Sequence, residues 1–344
     1  MLLLLTRTVG STGNFEKAFE WLCKKRKNYS PFADVWELRY QWNTEMPQIQ
    51  QAILSGTYTF DAIRQHRLPD GSIRYIWAAR DALVLRSITQ VLTDFLLPKL
   101  GATHHLKGNG GIAGALKFVN KNLNANKFVF KTDIKSYYQS IPHNQLMLEL
   151  EELIPDKKLL ALVEQTIRRT ETYGEIYWDI KKGIPQGSSL SPLLGAVALL
   201  CWDRAMKKAG LVYARYMDDL IVLTKTKSQL RRAIKITYKT LMKWKYKLHT
   251  NEKTFIGKIS KGFDYCGLHL NYKKVTLSES CVSKFMNNIS GLYEQAQRKS
   301  QATFYKSKPD FSAVSQYIQR FLRWSEWIQN NTRLGLDQKA TYTT

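Results

Sequence analysis

Three aspartates lie in sequence surroundings that disfavour a charged side chain. Asp133 ends the mostly apolar stretch that begins at Phe128, whereas Asp218 and Asp219 are adjacent and separate two further apolar stretches. A buried carboxylate without a partner is costly, and a bound cation would remove that cost. Mg²⁺ suits such oxygens because it binds one or two carboxylates and completes its shell with water and phosphate. The alternative is that Asp218 and Asp219 form an ordinary hairpin turn, where aspartate is common.

Five segments surround these aspartates in a fixed order between Lys127 and Leu270. They read FKTDIKSYY at 130–138, IPQGSSLSP at 184–192, YMDD at 216–219, NEKT at 251–254 and FDYCGL at 263–268. In this order they closely resemble the palm motifs of the reverse transcriptase family, including its PQGxxxSP box, its YxDD box and its primer-grip hairpin. The match of all five segments favours catalysis over a simple turn.

The resemblance implies an RNA-directed DNA polymerase that adds dNTPs to a primer 3′-OH with two Mg²⁺ ions, for which Mn²⁺ could substitute. It assigns the metals to Asp133, Asp218 and Asp219, together with Ile134 beside the first aspartate. It also implies that Lys253 protonates or neutralises the leaving pyrophosphate. A solvated surface lysine explains Lys253 almost equally well.

The same resemblance assigns five further residues to the incoming nucleotide. Tyr138 matches a position beneath the sugar, where a bulky ring would clash with a ribose 2′-OH and favour deoxynucleotides; a core tyrosine is the alternative. Gln186 and Gly187 would lie near the nucleotide and template, and glycine would allow close approach of the backbone. Arg67 and Arg74 flank a turn and resemble a basic pair that holds the triphosphate, although an ordinary basic hairpin has the same pattern.

Other residues are expected to contact the primer–template. Lys107 precedes a glycine-rich stretch that resembles a template-contacting loop of bacterial members, and the resemblance adds Tyr216, Met217, Cys266 and Gly267 of the YxDD and primer-grip segments. A predicted helix after residue 227 carries a face rich in lysine, which is either a solvated surface or a track for phosphates. The basic residues on or near this helix are Arg231, Arg232, Lys235, Lys239, Lys243, Lys245 and Lys247.

The overall charge agrees with a nucleic-acid partner. The 344 residues include 52 Lys and Arg against 28 Asp and Glu, which gives a formal net charge of +24. So large an excess is self-repulsive unless an anion neutralises it. Nucleic acid is therefore the first candidate partner, an anionic membrane the second and no specific partner the third. A hydrophobic content of 44% excludes an intrinsically disordered chain.

The cysteines and the N-terminal segment indicate a reducing compartment. Cys23, Cys201, Cys266 and Cys281 are far apart and form no CxxC pair, which argues against a zinc knuckle or a disulfide framework. The apolar run at residues 1–5 is too short for a signal peptide, and no later stretch reaches the length of a membrane span. We therefore expect a cytoplasmic protein without a membrane partner, and the resemblance to bacterial members implies a bacterial cytoplasm.

The resemblance implies an α+β chain with the right-hand polymerase fold. The expected domains are N-terminal helices and fingers over 1–126, a palm with an antiparallel ferredoxin-like sheet over 127–275, an inserted fingers part at about 145–185, a small helical thumb over 276–335 and a tail over 336–344. Apolar periodicity predicts helices over 82–97 and 144–153, one long helix from the PQG loop through Leu200, and a helical stripe from Leu230 to Leu248. Strands are predicted at 128–133, around a tight turn at 212–223 and in a last hairpin at 263–277.

The length leaves little beyond fingers, palm and thumb. No acidic cluster for an RNase H domain and no paired cysteines for an HNH endonuclease remain, so the chain resembles compact bacterial enzymes. These include the diversity-generating, retron, group II intron-like and defence-associated types. Ser191-Pro192 stands where diversity-generating enzymes usually have SQ, and the VTG sequence of retron thumbs is absent. We favour a retroelement or antiphage-defence enzyme that works with a dedicated structured RNA.

Two other functions stay open on the sequence. One is an untemplated or protein-primed DNA polymerase, with Tyr305, Tyr317 or Tyr342 as a priming hydroxyl. The other is an RNA-binding chaperone that has kept the fold, although the complete set of aspartates argues against it. A second protein subunit or a homo-oligomer is compatible with each of these functions.

Overall fold

The computed structural model describes residues 5–68, 71–101, 103–250, 253–273, 275–302 and 309–332. Within these ranges, none of the helices combines the length and the apolar character that a membrane span requires. Several sequence predictions fall outside the described residues, namely those on Pro69, Asp70, Asn251, Glu252, Tyr305, Tyr342 and the tail at 336–344.

Helices occupy much of the described chain. Those before the YMDD segment are α1 (Leu5–Val9), α2 (Thr12–Lys25), α3 (Asp34–Tyr40), α4 (Trp42–Ser55), α5 (Ala79–Leu96), α6 (Gly111–Leu123), α7 (Tyr137–Ser140), α8 (His143–Leu153), α9 (Lys157–Ile167), α10 (Ser191–Ala198) and α11 (Leu200–Lys208). Those after it are α12 (Lys227–Lys243), α13 (Glu279–Ala302) and α14 (Ser312–Thr332).

The strands are short and pair into three sheets among the described residues. Their bounds are β1 (Ile63–Arg67), β2 (Ile73–Ile76), β3 (Phe128–Asp133), β4 (Thr170–Tyr173), β5 (Ile176–Asp179), β6 (Val212–Tyr216), β7 (Asp219–Thr224), β8 (Phe255–Lys258), β9 (Phe263–Tyr265), β10 (Leu268–Leu270) and β11 (Val275–Leu277). The predicted strand at 128–133 and the two strands around the YMDD turn are therefore confirmed. The last predicted hairpin instead contains three strands, because residues 263–270 form the separate strands β9 and β10 before β11.

The chain divides into two compact units that interleave in sequence. The first unit contains residues 1–108, 134–209 and 236–249, and the second contains residues 109–133, 210–235 and 250–344. The boundaries expected for fingers, palm and thumb remain predictions.

The core of the first unit forms around α5. This helix is apolar on most sides and buries Leu83, Val84, Leu85, Ile88 and Leu92 among other residues, as expected for a helix that is covered all round. Helices α1, α2 and α3 pack against it. The sheet of this unit has the strand order β2-β1-β4-β5, in which β1 and β4 are parallel and the other pairs are antiparallel.

The second unit is built on an antiparallel sheet with the strand order β6-β7-β3-β8. The inner strand β7 is buried from Leu220 to Thr224, and its apolar run from Leu220 to Leu223 suits a strand that is covered on both faces. Val129 and Ile221 from this sheet share one core with Leu116 of α6 and with Tyr265 of the small β9-β10-β11 sheet. This packing fixes the ends of β3 and β7, where the aspartates lie.

Two helix predictions are wrong at their C-terminal ends. The apolar stretch after the PQG loop forms α10 and α11 rather than one helix through Leu200, because Leu199 has a φ of −104° and a ψ of 8°. Helix α12 ends at Lys243, so Trp244 and Leu248 of the predicted stripe follow the helix, while Lys245 and Lys247 lie just beyond its end. It ends there because Lys245 adopts a left-handed conformation with a φ of +61°.

Candidate active site

Strand register brings the three aspartates together at one end of the sheet in the second unit. Asp133 at the end of β3 pairs directly with Asp219 at the start of β7, so their side chains lie on the same face. Asp218 precedes β7 in the two-residue connection from β6, where Met217 has a left-handed φ of +58°. Tyr216 pairs with Asp219 from the other side. Asp218 and Asp219 therefore lie in a hairpin turn, as the alternative expected, and this turn also forms part of the acidic cluster.

Burial and the charge of Asp133 raise the pKa of the two adjacent aspartates. Burial, the nearby charge of Asp133 and a hydrogen bond with Asp133 raise the pKa of Asp218 to about 7. Burial and the charge of Asp133 raise the pKa of Asp219 to about 6, although the ammonium group of Lys131 opposes the increase. The site thus holds more negative charge than it can keep ionised at neutral pH without a cation.

Two lysines balance part of this charge. The Nζ of Lys253 lies 2.6 Å from Oδ2 of Asp133, and this hydrogen bond raises the pKa of Lys253. The Nζ of Lys131 lies 3.6 Å from Oδ1 of Asp219, which is an ion-pair distance but too long for a hydrogen bond. Sequence reasoning missed Lys131. Its position two residues before Asp133 in a strand was the available signal, because such residues share a face.

The arrangement fits a Mg²⁺ ion that binds few protein oxygens. Among the described residues, no three His, Cys, Asp or Glu side chains are close enough to hold a metal ion by themselves. Mg²⁺ does not need such a cage, because it commonly takes one or two carboxylates with water and phosphate. Oδ1 of Asp219 is buried and accepts no hydrogen bond within the described chain, and protonation of Asp218 is favoured in the absence of a cation. Both observations fit a site whose oxygens suit a bound cation.

The primer-grip segment reaches the same cluster. Cys266 and Gly267 connect β9 to β10 with φ values of +49° and +84°, as a tight two-residue hairpin requires. The backbone N–H of Cys266 donates a hydrogen bond to Asp219, and burial raises the pKa of the Cys266 thiol. Cys266 therefore orients a carboxylate through its backbone, while its side chain is an inert thiol.

The residues expected to bind the nucleotide lie in the first unit. The Tyr138 carbonyl accepts a hydrogen bond of 2.8 Å from the Ile184 N–H, which ties α7 to the PQG loop. The half-buried Tyr138 ring packs against Gly195, where an added Cβ would lie 3.0 Å from Cε1 of the ring. Gln186 and Gly187 are exposed on this loop, and Gly187 has a φ of +81°.

The two arginines of the β1–β2 hairpin do not share a face. Arg67 pairs with Ile73, whereas Arg74 pairs with His66, so the two arginine side chains lie on opposite faces of the hairpin. The guanidinium of Arg67 lies 4.4 Å from the centre of the Tyr173 ring. Their joint hold on one triphosphate stays a prediction, and the register does not favour it.

The remaining predicted site residues have simpler surroundings. Lys107 is exposed and lines a cavity of about 1030 Å³ within the first unit. Ile134 is 1% exposed and forms an isolated antiparallel bridge with Leu248, so only its backbone carbonyl could bind a metal. The hydroxyl of Tyr317 accepts a hydrogen bond from Asn288.

Comparison with known proteins identifies the family. Residues 70–270 match the family described as "Reverse transcriptase (RNA-dependent DNA polymerase)", which is more than half of the chain. The chain belongs to the reverse transcriptase family. It is an RNA-directed DNA polymerase with the right-hand polymerase fold.

The curated relatives that the chain matches are distant in sequence. "Protein YkfC" of Escherichia coli (strain K12) is 23% identical over 284 residues, which are 68% of this chain and 73% of that protein. "Uncharacterized 91 kDa protein in cob intron" of Schizosaccharomyces pombe is 29% identical over 126 residues, which are 36% of this chain and 16% of that protein. The chain thus spans a small part of that intron protein.

The fold is also shared with a solved structure. "Structure of apo telomerase from Candida Tropicalis truncated from C-terminal domain" aligns with a TM-score of 0.51 at 17% identity, and the alignment covers 64% of this chain and 55% of that chain. At this identity the likeness concerns the fold alone. It agrees with the α+β right-hand architecture expected from the motifs.

Proposed function

We propose that this reverse transcriptase adds dNTPs to a primer 3′-OH on an RNA template, with catalysis centred on Asp133, Asp218 and Asp219. The observation that carries the proposal is the cross-strand pairing of Asp133 with Asp219, with Asp218 beside them at a pKa raised to about 7. Carboxylates that resist joint ionisation in one site are typical of a metal-dependent phosphoryl-transfer centre.

Asp133 and Asp218 are the residues that would hold Mg²⁺, or Mn²⁺ in its place. When bound, two such ions would neutralise the charge that develops on the attacking and leaving oxygens. Asp219 would support the site from the opposite strand while Lys131 limits its excess charge. This division of roles follows the different partners of the three carboxylates.

Lys253 would act on the pyrophosphate side of the reaction. Its side chain is 56% exposed while its Nζ contacts Asp133, so the ammonium group can reach both the aspartates and an arriving phosphate. A lysine with a raised pKa is fully charged at neutral pH and can stabilise or protonate the leaving group.

Primer extension tests the polymerase proposal. Purified protein with a DNA primer, an RNA template, dNTPs and Mg²⁺ should extend the primer, whereas Asp218→Ala/Asp219→Ala should not. Asp179→Asn is the matched control, because Asp179 is an exposed aspartate on the edge strand β5 and its substitution should leave extension unchanged. Equal extension by the wild type and the double variant would overturn the proposal.

We also propose that the template is a dedicated structured RNA of a bacterial retroelement or antiphage-defence system, and that the enzyme works in the cytoplasm. The support is the compact motif set and the similarity to a protein of Escherichia coli. Sequencing of nucleic acid that copurifies with the protein should return one RNA species and its DNA copy. DNA that resists phenol extraction until protease treatment and matches no RNA would instead favour protein-primed, untemplated synthesis.

A further inference from the structure

A cavity of about 410 Å³ within the first unit is lined by basic side chains that lie outside the aspartate cluster. The basic residues around it are Arg168, Lys181, Lys182, Lys243 and Lys245, and Trp244 forms part of the wall. These side chains come from three separate stretches of the chain. Among the described residues that line the cavity, no carboxylate accompanies them.

The lysine wall of this basic pocket is held rigidly. Lys182 pairs with Pro142 in an antiparallel bridge, and the next residue, Gly183, accepts hydrogen bonds at its carbonyl from Nε2 of His143 at 2.8 Å and from Arg169 at 3.1 Å. Gly183 has a φ of +86°, and an added Cβ would lie 2.9 Å from backbone atoms of Gln139. The pocket is therefore preformed on this side.

The tryptophan wall is fixed by the end of α12. The N–H of Lys245 donates to the Met242 carbonyl, and the N–H of Tyr246 donates to the Leu241 carbonyl, which together form a Schellman motif. The hydroxyl of Tyr246 then donates to Oε1 of Gln145 on α8 at 2.8 Å in the protein interior. Trp244, between these anchors, is half-buried and keeps part of its ring accessible.

Lys245 occupies the position of this motif where glycine is usual. Its φ of +61° is strained for a residue with a Cβ. The strain suggests a role for the Lys245 side chain, because a glycine at this position would end the helix equally well but would contribute no charge to the pocket. Strain that is retained beside a cavity is a reason to look for a ligand.

We propose that the basic pocket binds an unpaired nucleotide of single-stranded RNA, with phosphates on the lysines and the base against Trp244. Five cations so close together repel one another, and within the described part of the chain only Arg168 has a carboxylate partner, Glu164, at 2.7 Å. Phosphate relieves this repulsion, and an accessible aromatic ring suits an unstacked base. The cavity volume also suits a ligand the size of one nucleotide. The choice of RNA over DNA rests on the proposed function.

Fluorescence anisotropy with a labelled 12-nucleotide oligo(U) tests the proposal. The full chain is first mixed with an excess of unlabelled blunt RNA–DNA hybrid, so that sites for paired substrate are occupied. Lys181→Ala/Lys182→Ala should weaken binding of the labelled RNA about tenfold and reduce the slope of log affinity against log salt by about 1.4, since each phosphate contact on a single strand contributes about 0.7. Trp244→Leu should weaken binding by about tenfold through lost stacking.

The matched control is Lys207→Ala/Lys208→Ala. These two lysines form an adjacent exposed pair in the same unit at the end of α11, so the change in net charge is identical. Its affinity should stay within about twofold of the wild type. The proposal would be overturned if both double lysine variants lost the same affinity for oligo(U), or if Trp244→Leu lost none. Competition by poly-glutamate as strong as by RNA would also overturn it and would favour an acidic protein partner.

Failure of this proposal can be separated from failure of the polymerase proposal. Lys181→Ala/Lys182→Ala should still extend a short primer on a short template, because the substituted residues lie outside the aspartate cluster. Asp218→Ala/Asp219→Ala should still bind the labelled RNA. Photocross-linking with 4-thiouridine RNA gives an independent readout, in which the wild type should form an adduct at Trp244 and an adduct elsewhere only would contradict the assignment.

Discussion

The raised pKa values of Asp218 and Asp219 predict that metal binding strengthens steeply with pH. A metal ion must displace the protons that these carboxylates bind in its absence, so affinity falls as the pH approaches their pKa values from above. At pH 6 a carboxyl of pKa about 7 is ionised in about one molecule in eleven, and one of pKa about 6 is ionised in about half. Protonation of the two groups should therefore weaken metal binding about 20-fold when the pH falls from 8 to 6, which corresponds to about 2 kcal/mol.

Mn²⁺ binding to the protein without nucleotide measures this effect directly. The electron paramagnetic resonance signal of free Mn²⁺ gives the dissociation constant at each pH, and circular dichroism at both values shows that the fold is unchanged. Asp218→Asn is the internal control. It should bind Mn²⁺ more weakly at pH 8, and its pH dependence should shrink to about twofold because only Asp219 still titrates in this range. Wild-type affinities that agree within twofold at pH 6 and pH 8 would refute the reasoning.

Three substitutions test other parts of the structure. Gly183→Ala should lower the free energy of unfolding in urea by more than about 2 kcal/mol, because a φ of +86° and a Cβ 2.9 Å from backbone atoms disfavour a side chain; a loss below about 0.5 kcal/mol would contradict this. Lys245→Gly should raise the free energy of unfolding by about 0.5–1 kcal/mol by removing left-handed strain while weakening oligo(U) binding, and a destabilised variant would show that the side chain is structural. Tyr138→Ala should reduce the ratio of kcat/KM for dCTP over CTP about tenfold, and an unchanged ratio would identify Tyr138 as a packing residue.

Local patterns were sufficient for the aspartate-bearing strands. Alternating and continuous apolar residues around the YMDD segment predict two strands and a tight turn, and β6 and β7 confirm them. The register that pairs Asp133 with Asp219 could not be predicted in this way. It joins segments far apart in sequence and depends on the packing of β3 between β7 and β8, so periodicity alone does not contain it.

For the basic residues, sequence spacing was a poor guide to which side chains lie together. Sequence spacing suggested that Arg67 and Arg74 act together, but the register of the hairpin places them on opposite faces. The helical stripe was expected to reach Leu248, but the left-handed Lys245 ends α12, and the chain then approaches Gln145 through Tyr246. Left-handed backbone at a lysine leaves no sequence signature, because glycine is the residue usually found there.

By itself, the sequence determined the family and predicted the three aspartates of the candidate active site, because phosphoryl-transfer chemistry requires particular side chains at short, ordered spacings. It also determined the need for a polyanionic partner, since a net charge of +24 is a property of composition. Only the tertiary structure decided which lysine neutralises which aspartate and which basic residues converge on one pocket with Trp244. Those contacts depend on strand register and helix ends, which are set by long-range packing and hydrogen bonds rather than by neighbours along the chain.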